Sequence, residues 1–519
     1  MRDLACRFSI CFFVCFVTGA LQGQSIQQAS GGSSSSLATD NGVAPLQQKL
    51  EAIAAALATT RQQLDQSQRQ IQQLQDELSE VKAQLGASTS SAEKTAGVVD
   101  SQAAKSGDLQ ERVETLEAQV KLHDQTKLES SSKYPIRVTG LLLFNSFVNR
   151  GGVDNIDLPS VATPPAAGSG GGSAGAGLRQ TILGIEGYGP RVAGARTSAD
   201  LSVDFFGGIP YSNFGTSSGI VRLRTASIHL DWARDSLQAG MEAPLISPLS
   251  PTSYATVAEP GMAWAGNLWT WAPQIRYTHQ FFGPDNGHLK VEVGLWDPPA
   301  AGYNMTDVFR APSPGERASQ PAYEGHVSYG SASEEGSMQI GLGGYYSRQS
   351  YPSPTPGGSS PNWDNDSWAA TTDWRIPLAH RFEVSGEGYR GRSLGGLGGG
   401  VYKDVLYGTD PVSGAAVIRG VNDIGGWTQF KSRFGRLFEA NASIGLDDGF
   451  ARDFHAVVLP PTASATQLRA RNRMAVGNLI FRPKTYLILS PEYRRIWTWP
   501  ITGTPATANV FTLSAGYQF

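Results

Sequence analysis

Arginines at alternate positions are the first feature of this sequence that could do chemistry. Arg469, Arg471 and Arg473 are spaced two residues apart, and Arg222 and Arg224 repeat that spacing. Side chains two residues apart in a β-strand lie on the same face. A guanidinium group can hold a carboxylate or a phosphate through two parallel hydrogen bonds. Because a column of cations facing lipid is costly, we expect these columns to face a lumen or to lie above a membrane.

Acidic residues elsewhere in the chain could neutralise the positive charge of these arginines. From position 134 onward the sequence holds 26 arginines, 4 lysines and 30 acidic residues, so its net charge is near zero. One interpretation is a ladder that attracts anions, and the other is a set of ion pairs that stiffens a wall. Besides the five arginines above, the predicted pore-lining residues are Arg276, Arg375, Asp373, Glu383, Glu387, Glu439 and Glu492.

The residues required for catalysis do not form a recognisable motif. None of the seven histidines lies in a Gly-x-Ser-x-Gly or His-Glu-x-x-His setting. All three cysteines, Cys6, Cys11 and Cys15, lie in the first 15 residues, which argues against disulfides, thiol catalysis and cysteine-bound metals. The formal net charge of −3 gives no reason to expect a nucleic-acid partner. We therefore predict no enzyme activity, no cofactor and no metal.

The N-terminal quarter of the chain is divided by changes in composition. Residues 1–23 combine Arg2 and Arg7 with an apolar run of signal-peptide length, followed by small residues. A short membrane anchor is the alternative interpretation of this segment. Residues 24–45 are rich in Ser, Gly and Gln, which predicts a flexible tether.

Residues 46–133 show a seven-residue period with a break at 86–108. Apolar residues occupy six successive a positions, and the other positions are mostly polar, which predicts an α-helical coiled coil. Such a seam needs at least two chains, so we expect a homo-oligomer. The six a positions are Leu50, Leu57, Leu64, Ile71, Leu78 and Leu85.

From residue 134 to 519 the period changes to two. About sixteen candidate strands are joined by connections that alternate between short turns and long loops. An even strand count, with both ends on one side and all long loops on the other, is typical of transmembrane barrels. We predict an all-β fold, namely a single-chain 16-stranded antiparallel transmembrane β-barrel preceded by the coiled coil. Sixteen strands would enclose a water-filled lumen suited to passive diffusion.

The third long loop is the most apolar of the set. It contains Met262, Trp264, Leu268, Trp269 and Trp271, which are unlike the residues of a loop that moves freely in water. Two destinations are consistent with this composition: the lumen, as a constriction, or a neighbouring subunit.

Three stretches of sequence resemble a known family. These are RQTILGIEGYGPRVAGARTSADLSVDFFGG (179–208), RLRTASIHLDWARDSLQAGMEAPLISPLSP (222–251) and PQIRYTH (273–279). They resemble the DcaP-like trimeric porins and, more loosely, the phosphate-selective porins. The resemblance implies a 16-stranded barrel in the outer membrane of a Gram-negative-type cell, a trimer, a periplasmic coiled coil, and uptake of small, mostly anionic solutes such as dicarboxylates.

The same resemblance bears on three further residues or regions. The phosphate-selective porins have a lysine cluster, whereas Lys290, Lys403, Lys431 and Lys484 are scattered here, so phosphate selectivity is not expected. General porins fold their third loop inward, which favours the lumen for the apolar loop. Outer-membrane barrels use a C-terminal aromatic as part of their assembly signal, which assigns that role to Tyr517 and Phe519.

Two other classes of function stay open at this stage. One is a barrel-borne outer-membrane enzyme. The other is a structural protein that tethers the envelope, with the coiled coil gripping peptidoglycan. Outer-membrane lipid, small solutes and further copies of the chain are the expected partners.

Overall fold

The computed structural model describes residues 135–164, 171–209, 219–283, 287–301, 310–333, 336–352 and 362–519. The predicted signal peptide, tether and coiled coil lie outside the described residues. No helix in the described part of the chain is long and apolar enough to cross a bilayer. The strands, in chain order, are β1 (Ile136–Arg150), β2 (Gly152–Val153), β3 (Ala162–Thr163), β4 (Gly172–Gly177), β5 (Ile182–Tyr188), β6 (Arg196–Asp204), β7 (Arg222–Asp231), β8 (Asp235–Glu242), β9 (Ala272–Phe282), β10 (Gly287–Trp296), β11 (Ala322–Ser333), β12 (Gly336–Tyr351), β13 (Trp363–Ala379), β14 (Phe382–Arg392), β15 (Val405–Thr409), β16 (Ala416–Gly420), β17 (Asn422–Phe434), β18 (Phe438–Gly449), β19 (Arg469–Lys484), β20 (Leu487–Pro500) and β21 (Ala506–Gln518). Three short helices lie in the loops: α1 (Pro314–Arg317), α2 (Ala451–His455) and α3 (Ala465–Leu468).

The main sheet closes on itself. β1 pairs antiparallel with β21, from Leu141 opposite Gln518 to Arg150 opposite Asn509. β4 and β5 pair with successive halves of β1, so together they occupy one position in the wall. The closed antiparallel barrel therefore has 16 strands, which confirms the predicted barrel. Closure pairs the last strand with the first and leaves the sheet without a free edge.

The long connections all lie at one end of the barrel. Residues 232–234, 435–437 and 485–486 form short turns at one end, which we call the turn end. Residues 243–271 and 393–421 are long connections at the opposite end, the loop end. The alternation of short and long connections that the sequence predicts is thus present in the fold.

The two faces of the wall differ in polarity, as β18 illustrates. Phe438 and Ile444 are exposed on the outside, where a transmembrane barrel meets hydrocarbon. Glu439, Asn441 and Asp447 alternate with them and are buried inside. This alternation, repeated around the barrel, directs polar side chains to the lumen.

The C-terminus lies at the turn end, against the first strand. The backbone N–H groups of Gly140 and Phe519 each donate to the carbonyl oxygen of the other residue, at 2.9 and 3.0 Å. The Phe519 ring lies directly over Gly140, where any Cβ would collide with it. Tyr517 lies on the same outer face and its ring is 5.3 Å from that of Tyr486. Phe519 thus covers the seam where the barrel closes, and Tyr517 packs on the side of β20.

Candidate functional site: the barrel lumen

The connection between β8 and β9, residues 243–271, folds into the barrel, and we call it the inner loop. Its first anchor is the carboxylate of Glu387 on the inward face of β14. Ser247 Oγ and the backbone N–H of Leu249 donate to its two oxygens at 2.5 and 2.6 Å. Trp427 Nε1 donates to the same carboxylate at 3.3 Å. Glu387 therefore holds the loop against the inner wall and is not exposed to a solute.

The second anchor is formed by β19 and β20. Glu492 accepts a hydrogen bond from Ser253 Oγ of the inner loop at 2.5 Å. Asn478 Nδ2 donates to the carbonyl of Thr252 at 2.8 Å. Arg494 pairs with Glu492 at 2.8 Å, and both side chains are almost fully buried. Glu492 is thus a second structural contact of the loop.

The third anchor uses the predicted arginine pair on β7. Arg222 and Arg224 reach the same carboxylate oxygen of Asp204, at 2.7 and 2.9 Å, and that carboxylate is fully buried. Arg222 also donates to the carbonyl of Ala258 at 2.6 Å, and Arg224 to the carbonyl of Val257 at 2.8 Å. The two arginines face the lumen. Asp204 neutralises part of their charge, and both donate hydrogen bonds to the inner loop.

The return segment of the inner loop approaches the wall very closely. Met262 and Trp264 adopt left-handed backbone angles, with φ of 61° and 63°. Gly266, with φ of 103°, lies against the backbone of Gly426, where a Cβ would overlap the carbonyl oxygen. Such backbone conformations persist only where surrounding contacts hold them in place.

The five predicted constriction residues of the loop separate into two groups. Met262 and Leu268 are buried in apolar clusters against the wall, so they anchor the loop and do not face a solute. Trp264, Trp269 and Trp271 instead line a cavity of about 440 Å³ at the loop end, which we call the vestibule.

Aromatic rings form a continuous series along the vestibule. The Trp264 ring is 4.0 Å from that of Tyr402 and 6.2 Å from that of Trp269, which in turn is 5.5 Å from that of Trp271. The guanidinium groups of Arg222 and Arg224 lie 5.1 and 4.6 Å from the Trp271 ring. The aromatic series therefore ends at the arginine anchor.

Acidic groups also face the vestibule. Burial raises the pKa of Glu259 in the inner loop to about 7, although Trp264 Nε1 donates to it. Burial likewise raises the pKa of Asp297. The hydrogen bond from Arg310 lowers the pKa of Glu316, and their charged atoms are 2.5 Å apart. Part of the negative charge in the vestibule is therefore removed by protonation or pairing near neutral pH.

Towards the turn end, the inward face carries a basic band of four residues: Arg375, Lys431, Arg433 and Arg482. Their two carboxylate neighbours are Glu383 and Glu439. Lys431 Nζ is 3.9 Å from each of these carboxylates. Arg375 lies on the inward face of β13, next to β14, and forms no ion pair within the described residues. Four cations against two carboxylates leave this band positive. Sequence reasoning missed Lys431 and Arg433, although they share one face of β17, and Arg482, which joins them only because β17, β18 and β19 are neighbours in the barrel.

The remaining lumen candidates are Asp373 and Arg276. Asp373 is fully buried and accepts from His326 Nε2 at 2.6 Å and from Gln339 Nε2 at 3.0 Å. Arg276 donates to the carbonyl of Ala243 at 2.7 Å, which holds the start of the inner loop. Both residues face inward: Asp373 bonds to side chains of the wall, and Arg276 bonds to the inner loop.

The predicted ladder on β19 is corrected by the structure. Arg471 and Arg473 point to the outside, because Asn472 and Met474 between them are the buried, inward residues. Arg471 pairs with Asp448 at 2.7 Å on the outer face. Arg469 lies beside a register shift at the start of β19 and does not continue their column. The three arginines therefore do not form one ladder in the lumen.

Two tryptophans of the barrel wall point into the lumen. Trp296 and Trp427 are 2% and 3% exposed and lie inside the barrel against the inner loop. A loop packed in the lumen gives apolar side chains a dry surface on the inner wall, so aromatic residues can be buried there.

Comparison with known proteins identifies the fold. No family model and no curated protein sequence matches this chain. Among solved structures, the outer-membrane channel DcaP of Acinetobacter baumannii matches 75% of this chain and 99% of its own, with 15% identity and a TM-score of 0.54. An anion-selective porin from Comamonas acidovorans matches at 13% identity and a TM-score of 0.46, over 75% of this chain and 100% of its own. OprB of Pseudomonas putida matches at 12% identity and a TM-score of 0.43, over 76% of this chain and 96% of its own. The chain thus has the porin fold, a closed 16-stranded barrel similar to that of the outer-membrane channel DcaP.

Proposed function

We propose that this protein is an outer-membrane porin for passive diffusion of small hydrophilic, anionic, dicarboxylate-like solutes. The observation that carries the proposal is the unequal exposure of partners in the lumen ion pairs. The Arg222 side chain is 25% exposed and that of its partner Asp204 is 0% exposed. The Arg433 side chain is 47% exposed, against 14% for Glu383.

Two other inward pairs show the same order, whereas the side chains of Lys431 and Glu383 are equally exposed, at 14% each. The Lys290 side chain is 29% exposed and that of Glu292 is 8% exposed. The Arg482 side chain is 31% exposed, against 11% for Glu439. A solute in the lumen therefore meets ammonium and guanidinium groups first, while the carboxylates are covered by the wall. This arrangement favours anions even though the net charge of the barrel is small.

The basic band suits a solute with two carboxylates. Guanidinium groups bind carboxylates with paired hydrogen bonds, and neighbouring cations on adjacent strands can hold a second carboxylate. Passive diffusion requires such contacts to be weak enough for release, which the partial neutralisation by Glu383 and Glu439 supports.

The test is a single-channel recording in planar bilayers with a KCl gradient. We expect a reversal potential that indicates chloride preference. The double variant Arg375→Gln/Arg433→Gln should move this potential towards cation preference, because it removes two accessible lumen charges. Arg471→Gln/Arg473→Gln removes the same charge from the outer face and serves as the matched control, with little effect expected.

Three outcomes would count against the proposal. A cation-selective wild type, or equal shifts in the lumen and control variants, would refute anion selection by the lumen. Absence of any conductance would instead favour an envelope-tethering role. The proposed homotrimer and the peptidoglycan contact of the coiled coil are tested separately, by the mass of the detergent-solubilised complex and by binding to purified peptidoglycan.

A further inference from the structure

The outer wall contains a concavity that the solute pathway does not use. Its volume is about 900 Å³, and it lies over β18 to β21 and β1. Small residues form its floor, including Gly477, where a Cβ would meet nothing within 4 Å. Exposed apolar side chains surround it, among them Leu479, Phe511 and Leu513. Its shape and polarity suit a hydrocarbon chain.

A stripe of four exposed arginines lies on the same outer face, nearer the loop end. We call Arg150, Arg471, Arg473 and Arg495 the outer arginine stripe. The register places them on neighbouring strands: Arg495 is opposite Asn509, which is opposite Arg150, and Arg473 is opposite Trp497.

Aromatic rings support these guanidinium groups. Trp497 lies between two of them, with Arg473 at 5.5 Å and Arg495 at 5.1 Å from its ring. Arg471 is 5.7 Å from the Trp499 ring, and Arg150 is 6.0 Å from the Phe511 ring. Stacking of this kind orients the guanidinium groups but does not neutralise them.

Three members of the stripe differ from the fourth in their ion pairing. Arg471 is paired with Asp448, but Arg150, Arg473 and Arg495 form no ion pair within the described residues. An arginine on the lipid face of a barrel is costly at the bilayer midplane and is tolerated near the interface. The stripe is thus tolerated in the headgroup region, where anionic groups can bind it.

The distance between the stripe and the concavity matches one lipid molecule. Pro491 lines the concavity and Trp497 is six residues further along β20. Six residues of a strand span about 20 Å, or about 14 Å along the membrane normal at a tilt of 45°. A headgroup on the stripe would therefore place its acyl chain in the concavity.

We propose that this face binds lipid A, the diphosphorylated glycolipid of the outer leaflet. The long loops of outer-membrane barrels face the cell exterior, so the stripe lies in the outer leaflet. Three unpaired guanidinium groups complement more than the single phosphate of a phospholipid, and phosphate is the anion that guanidinium groups bind in paired geometry. The phosphates bind the stripe, and an acyl chain fills the concavity.

The test is native mass spectrometry of the full-length protein in detergent, titrated with diphosphorylated lipid A, monophosphoryl lipid A or phosphatidylglycerol. We expect the diphosphorylated form to bind most tightly. Arg473→Gln/Arg495→Gln should weaken its binding by about tenfold or more, since it removes two guanidinium groups that form charge-assisted hydrogen bonds with the phosphates. Arg348→Gln is the matched control: an exposed outer-face arginine on β12, paired with Asp364 at 2.7 Å.

A second variant tests the concavity without changing charge. Gly477→Leu fills open space on the outer face and should weaken lipid A binding while the arginines stay intact. Equal binding of all three lipids, or equal binding by wild type and the double arginine variant, would overturn the proposal. So would dissociation of the oligomer by the arginine variant with lipid binding unchanged, because the face would then be a subunit interface.

Discussion

The contact of Asp204 with Arg222 and Arg224 allows a prediction of how strongly the inner loop is held in place. Asp204→Asn removes one charge while keeping the size of the side chain. The buried carboxylate holds Arg222 and Arg224, and these arginines hold the carbonyls of Ala258 and Val257. Breaking a buried ion pair from one side costs about 3–5 kcal/mol. Because the arginine side chains are partly exposed, we take the lower value, about 3 kcal/mol.

Thiol labelling can measure this change. Thr256 is buried next to Val257 and Ala258, and its hydroxyl forms no hydrogen bond within the described residues, so Thr256→Cys is a conservative probe. The natural cysteines all lie in the predicted signal peptide, so the probe would be the only thiol of a processed chain. A loss of about 3 kcal/mol makes local opening about 100-fold more frequent, and we expect the labelling rate to rise towards that factor.

The matched control is Asp448→Asn in the same Thr256→Cys background. Asp448 pairs with Arg471 on the outer face, where both side chains are substantially exposed. Exposed pairs contribute about 0–1 kcal/mol, and this one does not touch the loop. An unchanged labelling rate in Asp204→Asn would show that the arginine pair does not hold the inner loop.

Three further predictions concern other parts of the fold. Burial raises the pKa of Glu259 to about 7, so between about pH 4.5 and 7 the folded state keeps a proton that the unfolded state has lost. The free energy of unfolding should therefore fall as pH rises through this range. In urea titrations, Glu259→Gln should remove that pH dependence. Gly266→Ala should destabilise the protein by more than about 2 kcal/mol, given its φ of 103° and its contact with Gly426, whereas Gly344→Ala, where a Cβ meets nothing within 4 Å, should be nearly neutral in the same titration. Phe519→Ala should lower the yield of heat-modifiable folded barrel on SDS gels because Gly140 loses its cover; an unchanged yield would remove the assembly role.

Much of the barrel could be predicted from local patterns. Alternation of polar and apolar residues indicates strands, so the predicted change of period at residue 134 lies close to the start of β1 at Ile136. Strand number and the order of short and long connections follow from counting along the chain. Closure also follows, because an even number of strands with both ends on one side is typical of a transmembrane barrel.

The site was less accessible to sequence reasoning. The spacing of Arg471 and Arg473 establishes that they share a face, but it does not say which face. Their inward neighbour Met474 is apolar because the inner loop packs on it. On this strand, hydropathy therefore does not distinguish the lumen face from the lipid face. The same packing places Trp427 in the interior.

The sequence by itself determined the wall: sixteen strands, their order and the seam at Phe519. Only the tertiary structure decided what the charged residues do. Asp204, Glu387 and Glu492 are far from the inner loop in sequence or separated from it by whole strands, and they meet it only when the barrel closes. The local period of a strand shows which of its residues share a face. Contacts across the lumen depend instead on how all the strands curve into the barrel.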